Sequence, residues 1–167
     1  MHAQHIGIRE KPHRLPRLCY RGAVTVSITA CICDRRPVFT RVTVVNPFVE
    51  LLRRGSEMCS CRVLIYCFMP DHLHLVLQGE NADADTWRAM VHFKQHSGFW
   101  LRQHRPAIRW QKDFHDHIVR AEEDLRAHVR YIAENPVRKG LVEEWQAYPF
   151  TGAIGCDLAA VLESANG

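Results

Sequence analysis

The sequence lacks an apolar run of about 18 residues or more, the length that a membrane-spanning helix requires. Its beginning, MHAQHIGIREKPHRLPRL, also lacks the continuous apolar stretch of a secretory signal peptide and carries charges instead. A glycine-rich loop for phosphates is absent as well, so we expect no nucleotide cofactor. These absences argue against membrane insertion and export, and they predict a cytoplasmic protein.

The cysteines lack the features of a disulfide framework, because there are seven of them and no export signal accompanies them. We expect reduced thiols that mostly serve as small core residues. The pairs Cys31/Cys33 and Cys59/Cys61 also lack the C-x₂₋₄-C spacing of structural zinc sites. This spacing disfavours a zinc centre built on cysteine.

The chain carries a modest net charge of +4, and its eleven histidines gain further positive charge below neutral pH. The segment KPHRLPRLCYRG concentrates Lys11, Arg14, Arg17 and Arg21. Such a segment is typical of an arm that contacts nucleic-acid phosphates, and equally of a solvated N-terminal tail. Composition therefore permits a nucleic-acid partner without establishing one.

Hydrophobic periodicity and turn residues divide the chain into alternating strands and helices. We predict strands at 23–33, 61–69, 72–79 and within 108–120, and helices at 44–55, 85–103 and 121–136. In the first helix Pro47 is expected in the first turn and Gly55 at the end, and Pro136 is expected to end the last helix.

This order of elements is that of a ferredoxin-like α+β domain, a split β-α-β antiparallel sheet with helices packed on one face. The last helix, which carries Tyr131, is additional to that arrangement. With 167 residues and 47% apolar composition, the chain is long enough for one domain with a core and too short for two. We therefore expect a single domain over 1–167, with loose termini at 1–13 and 155–167.

The segment MPDHLHLVLQG places two histidines on one strand. Because side chains alternate across a strand, His72 and His74 share one face and Leu73 and Leu75 share the other. Two imidazoles at this spacing can hold one metal ion and leave positions open for water or a phosphate oxygen. A half-exposed surface pair is the alternative. Hydrolases of the histidine-triad type need a third histidine where this chain has Val76, which excludes that class.

A second pair, His115 and His117, has the same spacing within DFHDHIVR. It is flanked by Asp113 and Asp116, so this strand is expected to be more exposed than the first. The second pair can bind metal directly or orient other ligands from behind. The sequence leaves these two roles open.

The predicted last helix carries an apolar stripe formed by Leu125, Val129 and Ile132. Tyr131 and Asn135 lie one turn apart on a neighbouring stripe, so we expect both at an accessible cleft beside the core. A phenol has a pKa of about 10, so it attacks at neutral pH only with help such as a bound cation. Asn135 can add a carbonyl oxygen to such a metal site, and a tyrosine at the core edge is the alternative.

Several cations are candidates for contacts with DNA phosphates. Arg138 and Lys139 follow the tyrosine helix, where they can also complement the helix C-terminus. Lys94 lies in HFKQH and Trp110 in WQK, two clusters whose side chains can hold phosphates and stack on bases, although we expect Trp110 in the core. The full candidate set is Arg14, Arg17, Arg21, Lys94, Arg120, Arg138 and Lys139.

Four motifs, taken in order and spacing, resemble a known family. The four segments are MPDHLHLVL, FKQHSGFWLR, WQKDFHDHIVR and YIAENPVRKGLV, and a tryptophan and YPF follow the last of them. They are similar to motifs of the HUH-type single-tyrosine transposases. The resemblance is strongest to the REP-associated tyrosine transposases and extends from 14 to 151. This chain departs from the family at Asp71, where asparagine is frequent, and in a less aromatic first strand.

The resemblance implies an enzyme that cleaves and rejoins single-stranded hairpin or repeat DNA, acts as a monomer or homodimer and associates with the nucleoid in a bacterial-type cell. It implies that His72 and His74 bind Mg²⁺ or Mn²⁺, with Asn135 as a third metal contact. Tyr131 is implied as the nucleophile that forms a 5′-phosphotyrosine link. The alternatives are a catalytically silent nucleic-acid-binding protein and a metal-dependent phosphoesterase that needs no tyrosine.

Overall fold

The computed structural model describes residues 14–163. Ten helices and strands are named here in chain order: β1 Thr25–Cys31, α1 Val42–Met58, β2 Cys61–Met69, β3 His72–Gly79, α2 Thr86–His104, β4 His115–Val119, α3 Glu122–Ala133, α4 Asn135–Arg138, β5 Thr151–Ile154 and α5 Leu158–Glu163. Each predicted strand and helix has a counterpart among them.

The five strands form one antiparallel sheet in the order β4-β1-β3-β2-β5. The first four strands, with α1 and α2 as crossovers, have the predicted ferredoxin-like arrangement, so the α+β fold is confirmed. Strand β3 lies at the centre of the sheet. Its central position explains why the six apolar or histidine residues of HLHLVLQG are buried or half-buried on both faces of the sheet.

The two faces of the sheet differ in chemistry. In β1, apolar Val26 and Ile28 alternate with polar Ser27 and Thr29, and Thr29 pairs with His74 across the β1–β3 ladder. Helices α1 and α2 pack on the apolar face. An aromatic cluster fills the core between these two helices and the sheet. Its members are Phe39, Phe48, Phe68, Phe93, Trp100 and Trp110. Trp110 therefore lies in the core, as expected.

Helix α3 covers the opposite face, which carries the histidines. Val129 and Ile132 of its predicted apolar stripe are buried, and Leu125 packs beside them. A hydrogen bond of 2.5 Å between His128 Nε2 and Ser27 Oγ joins the helix to β1 on this face. The tyrosine helix therefore lies over the same side of the sheet as His72 and His74.

The first helix differs from its prediction. It begins at Val42 and continues through Gly55 to Met58, so Pro47 lies inside the helix and not in its first turn. Gly55 does not end the helix. A Cβ atom at this position would lie 3.2 Å from the carbonyl oxygen of Ala89, so glycine lets α1 approach α2 closely.

The C-terminal part of the chain also differs from its prediction. Strand β5, which the sequence reading omitted, pairs with β2 at the edge of the sheet. Residues 155–163, expected to be loose, include α5, where Leu162 is buried and its carbonyl oxygen accepts from Arg130. The predicted loose segment 1–13 lies outside the described residues. Glu134 caps α3 just before Pro136, as the proline predicts.

Within residues 14–163, no helix has both the length and the apolar character that crossing a membrane requires.

Packing of α5 can be tested with two leucine variants. Leu162→Ala should lower the free energy of unfolding by about 2 kcal/mol, because it deletes a buried side chain. Leu18→Ala is the control, since Leu18 is 76% exposed and its loss should cost less than about 0.5 kcal/mol. Urea denaturation measures both values. Equal stabilities for the two variants would contradict the packing of α5.

Candidate metal and tyrosine site

The two histidines of β3 bring their outer ring nitrogens together. His72 Nε2 lies 3.0 Å from His74 Nε2, and the two rings are nearly perpendicular, at 88°. Two neighbouring ligands of an octahedral ion, each about 2.1 Å from it and about 90° apart at the metal, are about 3.0 Å from each other, whatever the angle between their ring planes. The pair therefore has the spacing of neighbouring ligands on a single divalent ion.

The inner nitrogens of both rings are held by hydrogen bonds. His72 Nδ1 lies 2.6 Å from Asp71 Oδ1, and a carboxylate at that distance accepts the ring N–H. His74 Nδ1 lies 3.0 Å from the hydroxyl of Thr29. Contacts of this kind orient metal-binding histidines from behind and leave Nε2 directed at the ion.

The surroundings of both imidazoles favour the neutral form of the ring. Burial lowers the pKa of His72, although the adjacent Asp71 carboxylate opposes that shift. Burial also lowers the pKa of His74, to about 4, and His72 and His128 lower it further whenever their own rings are protonated. A neutral imidazole has the free lone pair that metal binding needs.

The donor set agrees with a divalent ion bound by two protein nitrogens. Among residues 14–163, no group of three or more His, Cys, Asp and Glu side chains is placed to hold a metal. Remaining positions would therefore be filled by water, an amide oxygen or substrate. Open coordination positions are what metal-assisted phosphoryl transfer requires.

Arg35 secures the carboxylate behind His72. Its Nε donates to Asp71 Oδ2 at 2.7 Å, and its Nη1 lies 2.9 Å from the sulfur of Cys31. Asp34 and Arg35 both have left-handed backbones, with φ of 56° and 52°. Non-glycine residues adopt this region at an energetic cost, so the turn after β1 holds a strained geometry that brings Arg35 to Asp71.

Tyr131 lies at the surface of α3 and is 57% exposed. The guanidinium of Arg138 lies 3.7 Å from the centre of its ring, and Arg138 Nη2 donates to the Tyr131 carbonyl oxygen at 2.7 Å. The expected accessible position of Tyr131 is thus observed.

An open groove of about 800 Å³ runs beside Tyr131, between α3, β4 and the N-terminal segment. Its lining includes His117, Arg120, Asp124 and His128. The rings of His117 and His128 are 5.0 Å apart. Tyr131 is therefore open to solvent from the side of this groove.

Asn135 begins α4 and is buried, whereas the sequence placed it at an accessible cleft. Its side-chain oxygen lies 3.5 Å from Arg138 Nη2, and no hydrogen bond joins it to His72 or His74 within the described chain. The side-chain oxygen of Asn135 therefore faces Arg138, and its role as a metal contact stays a prediction.

Three of the candidate cations surround the site. Lys139 lines a cavity of about 400 Å³ that also contains His72 and Arg35. Arg138 covers the Tyr131 ring, and Arg120 lines the groove. All three are exposed and available to a polyanion.

The other candidates lie elsewhere. Arg14 is held between the Trp87 and Phe114 rings and paired with Asp116 at 3.2 Å, so its charge serves packing. Lys94 donates to the carbonyl oxygens of Gln111 and Lys112, and burial lowers its pKa to about 8. These two geometries do not support phosphate contacts.

Arg17 lies over Trp87, and Arg21 lies 3.6 Å from Asp85; both remain exposed.

The second histidine pair lies on the same face of the sheet as the first. His115 pairs with Thr29 and His117 with Ser27, which places β4 two strands from β3. Two strand spacings are about 10 Å, too far for both pairs to bind one ion. His117 instead contacts His128 in the groove.

Sequence reasoning overlooked Thr29, Arg35 and His128. The alternation of Thr25, Ser27 and Thr29 with apolar neighbours was a usable signal, because it marks a polar face on a strand that is otherwise buried. Arg35 and His128 had no comparable signal. Their partners are 36 and 101 residues away in the chain.

The profile of the family described as "Transposase IS200 like" matches residues 22–135, which include both histidines, Tyr131 and Asn135. The chain belongs to the IS200-like transposase family. The match covers more than half of the sequence and spans β1 to the start of α4.

Curated relatives and a solved structure agree with this family. A Haemophilus influenzae protein named as a REP-associated tyrosine transposase is 26% identical over 118 residues, covering 64% of this chain and 67% of the relative. The REP-associated tyrosine transposase of Escherichia coli K12 is 31% identical over 88 residues. These residues cover 50% of this chain and 48% of the relative, so this chain matches about half of that protein's length. The resemblance predicted from the motifs is confirmed.

The fold is shared with the solved structure of a REP-associated tyrosine transposase bound to a REP hairpin. Its TM-score to this chain is 0.71 at 22% identity, and the alignment covers 85% of this chain and 82% of that one. At this identity the likeness concerns the fold.

Lowered histidine pKa values predict acid sensitivity. The unfolded chain binds a proton at His74 near pH 6.5, whereas the folded pKa is about 4, so stability falls as the pH drops from 6.5 to 4. His74 alone should contribute a loss of up to about 3 kcal/mol. Urea denaturation across this range, with chelator present, measures the slope. His74→Gln should flatten it, and an unchanged slope would contradict the assignment.

Proposed function

We propose that this protein cleaves and rejoins single-stranded DNA through Tyr131. The observation that carries the proposal is the placement of the tyrosine helix on the same face of the sheet as two histidines whose Nδ1 atoms are hydrogen-bonded and whose Nε2 atoms lie together. A nucleophile and a metal-binding pair on one face are the two parts that a tyrosine transesterification requires.

In the first step, Tyr131 Oη attacks a phosphorus atom of the strand. A bond forms between Tyr131 Oη and phosphorus, the bond from phosphorus to the 3′ oxygen breaks, and the tyrosine proton is lost while the 3′ oxygen gains one. The products are a 5′-phosphotyrosine link and a free 3′-hydroxyl. One phosphoester replaces another, so no nucleotide hydrolysis is needed.

In the second step, a DNA 3′-hydroxyl attacks the phosphotyrosine. A bond forms between phosphorus and the 3′ oxygen, the bond from phosphorus to Tyr131 Oη breaks, and the 3′-hydroxyl proton is lost while Tyr131 Oη regains one. This restores the phosphodiester and joins the two strand ends. The groove beside Tyr131 gives the strand a path to the phenol, and Arg120 there can hold a backbone phosphate.

His72 and His74, with Asn135, would hold a Mg²⁺ or Mn²⁺ ion. When bound, such an ion polarises the phosphate and stabilises the charge that develops on its oxygens. Lys139 lies beside His72, where it can bind an adjacent phosphate. For the substrate we propose hairpin or palindromic repeat DNA, because relatives of this chain are REP-associated transposases.

Covalent trapping tests the reaction. The protein is incubated with Mg²⁺ and a single-stranded hairpin taken from repeats that flank its gene, labelled at the 3′ end. A 5′-phosphotyrosine keeps the 3′ fragment on the protein, so a labelled adduct should survive denaturing electrophoresis. Tyr131→Phe removes the attacking oxygen and should abolish the adduct. Tyr66→Phe, on β2, is the control and should retain it.

Other outcomes identify the alternatives. Absence of an adduct with every flanking repeat would overturn the proposal. Hairpin binding without cleavage would indicate a silent DNA-binding protein. Cleavage that persists in Tyr131→Phe would indicate a phosphoesterase that does not use the tyrosine.

DNA affinity tests the cation at the histidine site. Lys139→Gln should weaken hairpin binding and reduce the slope of log affinity against log salt by about 1, because one phosphate contact is lost. Arg102→Gln removes the same charge from α2, on the opposite face of the sheet, and should leave the slope unchanged. Fluorescence anisotropy over a salt series measures both. Equal slopes for the two variants would exclude Lys139 from the interface.

A further inference from the structure

A continuous chain of hydrogen-bonding groups passes through the histidine pair. It runs from Asp71 Oδ1 to His72 Nδ1 at 2.6 Å, from His72 Nε2 to His74 Nε2 at 3.0 Å, and from His74 Nδ1 to Thr29 Oγ1 at 3.0 Å. A neutral imidazole has one donor and one acceptor nitrogen, so fixing one end of such a chain fixes the direction of every bond in it.

The Asp71 end is fixed, because an ionised carboxylate can only accept. His72 therefore carries its proton on Nδ1, and its Nε2 is an acceptor. His74 Nε2 must then be the donor at the shared contact, which leaves His74 Nδ1 to accept from the Thr29 hydroxyl. Thr29 is the adaptable end, since a hydroxyl can either donate or accept.

We infer that Asp71 and Thr29 are positioning residues that preset His72 and let His74 change tautomer when a divalent ion binds. His72 already directs a lone pair outward. For His74 to bind the same ion, its proton moves from Nε2 to Nδ1, and Thr29 turns from donor to acceptor. The number of protons on the pair is unchanged, and both Nε2 lone pairs then face the ion.

Arg35 makes the role of Asp71 specific. Its Nη2 lies 3.4 Å from His72 Nδ1, so it places a competing donor beside the same nitrogen. While Asp71 is present, the carboxylate occupies both Arg35 Nε and the ring N–H. Without Asp71, Arg35 would face His72 Nδ1 directly and favour the tautomer with the proton on Nε2, which blocks the metal-binding atom.

Metal affinity separates this role from a merely structural one. Mn²⁺ binding to the full chain, freed of metal and without DNA, is measured by electron paramagnetic resonance. Asp71→Ala should weaken binding by about 10- to 100-fold, the usual effect of losing a hydrogen-bond partner behind a ligand. Asp71→Asn keeps an acceptor oxygen and should retain more affinity. Arg35→Gln alone should change affinity by less than about 3-fold.

The double variant Asp71→Ala/Arg35→Gln gives the sharpest result. It should bind Mn²⁺ more tightly than Asp71→Ala, because the competing donor is gone. If the two residues only tether the turn after β1, both single variants lose similar affinity and the double variant is no better, which would overturn the inference. Wild-type affinity in Asp71→Ala would overturn it as well.

Thr29 offers an independent test that keeps the core volume. Thr29→Val is nearly the same size but has no hydroxyl, so His74 Nδ1 loses its partner and affinity should fall by about 10-fold. Thr29→Ser keeps the hydroxyl and should stay within about 3-fold of wild type. Equal affinities for the two variants would remove Thr29 from the chain of hydrogen bonds.

Nitrogen-15 NMR of the metal-free protein reads the tautomers directly. His72 should be protonated at Nδ1 and His74 at Nε2 in wild type, and His72 should shift to Nε2 in Asp71→Ala. The inference rests on the proposed function only for the divalent ion. Failure to trap a DNA adduct would therefore overturn the proposed function alone, and failure of the wild type to bind Mn²⁺ would overturn this inference.

Discussion

The pleat of β3 is the constraint on which the site depends. Successive side chains leave a strand on opposite faces, so the same segment supplies leucines to the core beneath α1 and α2 and histidines to the face beneath α3. A shift of one residue in register would bury the imidazoles among aromatic rings and move the leucines to the face beneath α3. Hydrophobic burial on one face thereby fixes the position of the metal-binding nitrogens on the other.

Helix α3 adds the nucleophile by the same principle. Val129 and Ile132 are buried against the sheet, and their burial fixes which side of the helix faces outward. Tyr131 lies on the outer side, beside the groove, and Arg138 lies across its ring. The two halves of the candidate site therefore come from different elements, and the core between them sets their relation. Asn135 is buried at the start of α4, where its side-chain oxygen faces Arg138.

The sequence alone does not show whether a positively charged side chain contacts a phosphate or packs inside the protein. Arg14 is paired with Asp116, and Lys94 donates to a backbone carbonyl oxygen. Arg120, Arg138 and Lys139 remain exposed around the site. All five have the same formal charge, and their local sequences do not separate them. Exposure is decided by contacts over long chain separations, such as that between Arg14 and Phe114.

Local sequence pattern was sufficient to predict the first four strands in order, the two crossover helices and the tyrosine helix. It also predicted that His72 and His74 share one face and that Tyr131 lies on the outer side of its helix. These features follow from periods of 2 and 3.6 residues, which act within a single element. Other features could be recognised only in the folded chain. They are strand β5, helix α5, the interior position of Gly55, and the hydrogen bonds of Thr29, Arg35 and His128. Each is defined by a partner from another element, and only packing brings such partners within bonding distance.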